Sequence, residues 1–139
     1  MKPSLLQKAA LLLFAVASIS ACGGDDVGNP TLRGDYALQS VNGAPLPYVT
    51  TVNNVKTEIL DDVLSLYAGS TYSQISHVRV TTNGQVTTQT LNETGTYGGQ
   101  GTSVIFVRNS GKPNRVSIFD NFTLTFHDDE LTRVYMKAH

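Results

Sequence analysis

Residues able to do chemistry are few in this chain, and their neighbours decide what they are for. Among 139 residues there are one cysteine, three histidines and no tryptophan, with a formal charge of −1. The lone thiol, Cys22, excludes an intrachain disulfide framework and a multi-cysteine zinc site. His127-Asp128-Asp129-Glu130 gathers an imidazole and three carboxylates in one turn. Adjacent side chains rarely converge on one ion, so a solvated hairpin turn is expected there, with no metal and no cofactor. His77 falls mid-strand with no carboxylate near it in sequence, and His139 is terminal. The pairs Asp61-Asp62 and Asp128-Asp129 suit solvated turns better than glycosidase chemistry. No Gly-x-Ser-x-Gly elbow is present. Gly95, Gly98, Gly99 and Gly101 precede a strand pattern, Val104-Ile105-Phe106-Val107, where a phosphate-cradling loop needs a helix N-terminus. Near-neutral charge gives no electrostatic reason to expect nucleic acid. A non-enzymatic protein is the expectation.

Cys22 takes its meaning from what precedes it. Lys2 and Lys8 supply a positive start, and residues 9–19 form an uncharged, largely apolar run. At about 11 residues that run suits the core of a signal peptide and falls short of the ~20 needed to span a bilayer. It closes on Ile19-Ser20-Ala21-Cys22, which resembles the lipobox of bacterial lipoproteins. The resemblance implies cleavage between Ala21 and Cys22 and a diacylglyceryl group on the Cys22 thiol, with palmitate-type acyl chains holding the protein to a membrane. Gly23 stands where lipoproteins retained at the inner membrane carry Asp, which implies the outer membrane. The alternative is an ordinary secretory peptide cut nearby, leaving Cys22 as a free thiol. Two or more acyl chains, each burying ~0.8 kcal/mol per CH₂, make such an anchor stable.

Three segments result: a leader at 1–21, a lipidated N-terminus and tether at 22–31, and one domain at 32–139. The tether is small, polar and glycine-rich, with a root-mean-square reach of roughly 17 Å. Losing the leader removes Lys2 and Lys8 and takes the formal charge from −1 to −3.

The domain reads as all-β, because short β-branched and aromatic runs alternate with turn signals. Strands are predicted at 35–41, 71–82, 85–96, 102–108, 115–119, 122–126 and 131–137. Residues 44–47, with Pro45 and Pro47, form an extended connector. Residues 55–66 have mixed helical and strand spacing and are read as strand–turn–strand, with Asp61-Asp62 as the turn. Asn83-Gly84 is the preferred pair for a two-residue hairpin turn, and it sets Val80 against Thr87, Arg79 against Thr88, His77 against Thr90 and Gln74 against Glu93. Neither face of that hairpin is cleanly apolar, so part of it should project into solvent. About eight to nine strands in such a span predict a small antiparallel meander closed into a barrel, with a β-sandwich as the alternative.

The pattern is similar to the lipocalin-like (calycin-like) β-barrel domains of small bacterial lipoproteins. It rests on Gly34-Asp35-Tyr36, on Ser40-Val41-Asn42-Gly43-Ala44-Pro45-Leu46-Pro47, on Glu93-Thr94-Gly95-Thr96-Tyr97 and on Leu131-Thr132-Arg133-Val134-Tyr135-Met136-Lys137. Lipocalins proper carry Gly-x-Trp in the first strand under an arginine from the barrel's end. The resemblance therefore implies Tyr36 in the tryptophan's place and Arg133 as the cation over its ring. Tyr36, Tyr72, Phe106, Phe122, Phe126 and Tyr135 are the candidates for lining a mouth that takes a small apolar ligand or lipid. The competing reading, given more weight, is that they fill the core. Expected partners are thus a membrane, through Cys22, and a small apolar ligand; the domain is expected to be monomeric. The alternative function is a cell-envelope interaction or hydrolase-inhibitor module acting through surface loops.

Overall fold

The computed structural model describes residues 32–128 and 130–139. The segments expected to be a leader (1–21) and a lipidated tether (22–31, with Cys22) lie outside the described residues, as does Asp129. The regular elements are all strands: β1 (Gly34–Val41), β2 (Ala44–Pro45), β3 (Tyr48–Val52), β4 (Val55–Leu66), β5 (Thr71–Thr82), β6 (Gln85–Gln100), β7 (Ser103–Arg108), β8 (Arg115–Asp120), β9 (Thr123–Asp128) and β10 (Leu131–Lys137). From β4 to β10 each strand pairs antiparallel with the next, β10 returns to β1, and β1 pairs with β4. That last contact, Gly34 opposite Leu66 through Ala37 opposite Val63, closes a ring of eight strands. Closure removes the free edges a sandwich would leave.

The other two strands fill the seam where β1 and β4 part. β2 turns back on β1 through Asn42-Gly43, and β3 lies along the first half of β4, Tyr48 opposite Ile59. β3 carries no assignment from sequence; its Val-Thr-Thr-Val core follows Pro47 too closely to stand out from the connector. Two-residue turns at Asn42-Gly43, Asn53-Asn54, Asn83-Gly84 and Asn121-Phe122 all have two positive φ angles, the twist that matches a right-handed hairpin. The Asn83-Gly84 hairpin has the predicted register, Gln74 opposite Glu93 and His77 opposite Thr90.

Residues 55–66 correct the sequence reading. They form one continuous strand, and the expected turn at Asp61-Asp62 is replaced by a bulge at Leu60 between Ile59 and Asp61. A turn would forfeit pairing with β5, which runs unbroken opposite; a bulge costs one residue of ladder and bends the strand. Asp61 and Asp62 therefore alternate like any strand neighbours: Asp61 is exposed and Asp62 is buried.

The ring has two unlike ends. Turns after β4, β6 and β8 gather at one end with the start of β1 and the finish of β10, and Leu32 is buried there in the core. At the other end β3–β6 run past the ring as a wing, in which every residue from 85 to 92 is exposed.

Candidate functional site

Side-chain alternation decides what the barrel holds. On four strands an inward aromatic is followed, two residues nearer the winged end, by an inward polar group: Tyr72 by Gln74, Phe106 by Arg108, Phe126 by Asp128, and Tyr135 by Arg133. Aromatics thus fill the closed half, and a polar layer sits above them.

The closed half is packed solid. Phe106 meets Tyr72 edge-on at 5.1 Å, Phe126 at 5.1 Å and Tyr97 at 6.2 Å, and Phe126 meets Tyr135 edge-on at 5.5 Å. Tyr72 fits because Gly95 lies opposite it; a Cβ on Gly95 would come within 2.7 Å of the Tyr72 ring and 2.0 Å of the Val107 carbonyl oxygen. The Tyr36 hydroxyl donates to the Leu32 carbonyl at 2.7 Å, and the Tyr97 hydroxyl to the Tyr67 carbonyl at 2.8 Å. Burial pushes the Tyr36 and Tyr72 hydroxyls up to about 12. Five of the residues singled out on sequence, Tyr36, Tyr72, Phe106, Phe126 and Tyr135, are brought together here, each at most 2% exposed. They belong to the buried core cluster, and none of them lines the cavity described below.

Two candidates stand elsewhere. Phe122, expected to open a strand beside Leu124 and Phe126, occupies the β8–β9 turn with φ +62° and is exposed. Arg133 does not cover Tyr36; the cation over that ring is Lys137, 6.0 Å from its centroid. Arg133 lies in the open half, its Nη1 3.8 Å from an Asp128 carboxylate oxygen.

The polar layer is a connected network. Gln74 is its hub: Nε2 donates to Asp62 Oδ2 at 2.7 Å and to the Tyr135 hydroxyl at 3.1 Å, while Oε1 accepts from Arg115 Nη1 at 2.8 Å. Ser76 donates to the same Asp62 Oδ2 at 2.6 Å. Arg115 pairs with Asp128, Nε 2.9 Å from Oδ2, and its guanidinium covers the Phe126 ring at 4.2 Å, forming the boundary between the halves. Next to Gln74 across the β5–β6 ladder, Glu93 Oε2 accepts from Arg108 Nε at 2.6 Å and from Nη2 of the same side chain, and Glu93 Oε1 accepts from the Tyr72 hydroxyl at 3.1 Å.

Charge in this layer is set by burial against pairing. Burial raises the Asp62 carboxyl above the ordinary carboxylate range, although Ser76, Gln74, Arg133 and Tyr135 all act to lower it. For Arg115 burial acts against the charge, and Asp128 outweighs it, so the guanidinium is held above its usual value. Three arginines and three carboxylates meet here, yet some atoms find no protein partner: Asp62 Oδ1, Arg115 Nη2 and Arg133 Nε have no hydrogen bond among the described residues. Arg115 Nη2 lies 2.7 Å from Asp128 Oδ2 as an ion pair without an N–H directed at it.

Above the layer is a cavity of about 1100 Å³ that opens beneath the wing. Asp62, Gln74, Ser76, Arg115 and Arg133 line its floor, and Ile59, Val78, Leu91, Pro113 and Leu131 line its walls. His127 and Glu130 reach its rim, but His127 Nδ1 is engaged with Thr132 Oγ1 at 3.1 Å. His77 has a partner the sequence did not suggest, Asp61 Oδ1 at 2.6 Å across the β4–β5 pair on the outer face.

No protein-family model matches this chain, and no curated protein matches it.

Proposed function

We propose that the domain is a non-enzymatic carrier or sensor that holds a small amphipathic molecule in the open half of its barrel. The observation that carries this reading is the cavity of about 1100 Å³, whose lining joins apolar side chains such as Ile59, Val78 and Leu131 to charged and polar groups. Binding sites of this size typically combine apolar walls with a few fixed polar groups. In this reading the ligand sits one layer above the buried aromatics. The ion pairs of the floor are already engaged with one another, which suits holding a ligand in one orientation better than transforming it.

In the same reading Cys22 is acylated and anchors the protein to the outer membrane as a monomer, with the ligand as its soluble partner. Leu32 enters the barrel at the closed end, so a tether from Cys22 directs that end toward the bilayer and the cavity away from it. An interaction module acting through surface loops and the wing is the alternative; the wing offers exposed side chains such as Val52 and Val86.

Two experiments test this. Cys22→Ser in the full chain is expected to release the protein from membranes, and unchanged membrane association refutes the anchor. Native mass spectrometry of the same variant, incubated with ten-carbon amphiphiles, is expected to show one bound molecule that is lost when Val78→Trp fills the cavity. Binding that survives Val78→Trp places the ligand elsewhere and overturns the reading.

A further inference from the structure

Resting on the cavity reading above, we propose that the cavity floor binds the carboxylate of an organic acid and that Asp62 hands it a hydrogen bond as a neutral carboxylic acid, so that ligand and one proton are taken up together. Three observations converge on this. First, the unpartnered atoms of the floor are of one kind once the hydrogen bonds are assigned. Arg133 Nε is a donor by chemistry, whereas Arg115 Nη2, 2.7 Å from Asp128 Oδ2, is already engaged in the ion pair. Asp62 Oδ2 is occupied, accepting from both Gln74 and Ser76, so a proton on this carboxyl resides on the unpartnered Oδ1. Asp62 is 4% exposed and Arg115 7%, so both are committed to the floor and not to bulk solvent.

Second, the charges do not cancel locally. Glu93, across the β5–β6 ladder from Gln74, is taken by Arg108. Asp128 is shared by Arg115, in close contact, and Arg133, at 3.8 Å. With Asp62 neutral, the floor between β4, β8, β9 and β10 carries one surplus positive charge, which an anion completes. With Asp62 ionised that surplus vanishes, and a bound carboxylate would face a second one. Third, the floor lies at the base of apolar walls, so the acid's hydrocarbon part has Ile59, Val78 and Leu131 to cover it.

The groups facing Asp62 are Gln74 and Ser76 from β5, Tyr135 and Arg133 from β10 and Arg115 from β8. Asp128, Glu93 and Arg108 stand behind or across from these, and His127 stands at the rim. Burial is the largest influence on Asp62 and favours its neutral form. Lys112 and Glu130 line the cavity with His127, and among the carboxyl groups Asp62 is the one with a buried oxygen that has no hydrogen bond among the described residues.

The test is a titration of the purified full chain carrying Cys22→Ser with decanoate and, in parallel, decan-1-ol, from acid to alkaline pH. Decanoate is expected to bind more tightly than decanol, and to weaken by up to about tenfold per pH unit above the Asp62 midpoint, the limit for one linked proton. Arg133→Gln is expected to cost decanoate about tenfold or more while leaving decanol unchanged. Asp62→Asn keeps an acceptor toward Gln74 and Ser76 and presents an N–H where the acid presents O–H. It is therefore expected to keep decanoate affinity and abolish its pH dependence. Equal affinity for decanoate and decanol overturns the anion assignment while the cavity reading stands. A pH slope that persists in Asp62→Asn moves the proton to another group, His127 first, and overturns the role of Asp62. If neither probe binds at any pH, the cavity reading itself fails.

Discussion

The two halves of this barrel are built from the same strands and obey opposite rules. In the closed half, inward positions are mostly aromatic or aliphatic, with Ser117 as a buried polar exception, and every ring finds another ring or a backbone carbonyl. Two residues along the same strands, inward positions become Gln74, Arg108, Asp128 and Arg133, and unpartnered atoms appear. The closed half is where the stability of a small domain is concentrated, through burial and dispersion. The open half gives up part of that stability for a polar floor. A buried ion pair is weak evidence of stability and good evidence of a constraint other than stability.

The sharpest way to break the contrast is to cut into the closed half. Phe106 touches three of the five other rings in the cluster, so Phe106→Ala leaves a cavity that neither Tyr72 nor Phe126 can fill without losing its own contacts. A loss of about 3–5 kcal/mol is expected, read by urea unfolding. A loss below 1 kcal/mol would mean that the rings are loosely packed and that the closed half could host a ligand after all.

An open-half substitution of comparable size should be costly only when it strands a charge. Asp128→Ala leaves Arg115, whose side chain is 8% exposed, without its carboxylate, and about 3 kcal/mol is expected to be lost. Replacing both partners, as Arg115→Met with Asp128→Leu, is expected to return stability to within about 1 kcal/mol of the original. Thermal and urea unfolding of the two variants side by side check this. If the double replacement is as damaging as the single one, the ion pair is holding the barrel together and the functional division between the halves fails.

Much of this division was legible from the sequence, and what was missed has a physical cause. The barrel followed from turn residues and strand spacing, and the Asn83-Gly84 turn alone set the β5–β6 register correctly. Five of the six aromatics singled out on sequence are buried together in the core. The polar floor went unread although the same period of two contains it: stepping two residues from Tyr72, Phe106, Phe126 and Tyr135 toward the open end gives Gln74, Arg108, Asp128 and Arg133. Asp62 was hidden for a different reason. A bulge at Leu60 leaves no mark in the local sequence, and without it Asp61-Asp62 looks like a solvated turn. Nor does position in the chain show that Arg115 reaches Gln74, 41 residues away. Phe122 misled because apolar alternation with Leu124 and Phe126 extends by chance into the turn.

Within β4 the contrast narrows to two carboxylates four residues apart. Glu58, in the wing, is held down at about 2 by Arg79, 2.7 Å away, and Lys56. Its stabilising effect is present above the unfolded value of 4.5 and is lost as pH falls toward 2. Asp62, in the floor, is shifted the other way. Between 3.8 and its raised folded value the native state holds a proton that the unfolded chain has released. Its contribution is therefore complete below 3.8 and lost as pH rises through the folded value, by up to about 1.4 kcal/mol per pH unit. Unfolding free energy measured against pH in Asp62→Asn should lack that decline and retain the acid-side loss due to Glu58. A decline of unchanged slope would show that Asp62 is ionised throughout.

The smallest effect is expected at the closed end, where the β8–β9 turn holds Phe122 at φ +62°. A left-handed conformation costs a bulky residue about 1 kcal/mol or more, and in a type I′ turn the second position favours glycine, as Gly84 shows in the β5–β6 turn. Phe122 is 46% exposed, so little packing offsets that strain. Phe122→Gly removes the steric conflict but adds freedom to the unfolded chain, and the net gain should be about 1 kcal/mol or less. A small rise in Tm with unchanged ligand binding would place Phe122 outside both halves of the contrast. A fall in Tm would show that its ring covers the aromatic core from below, and would extend the closed half by one residue.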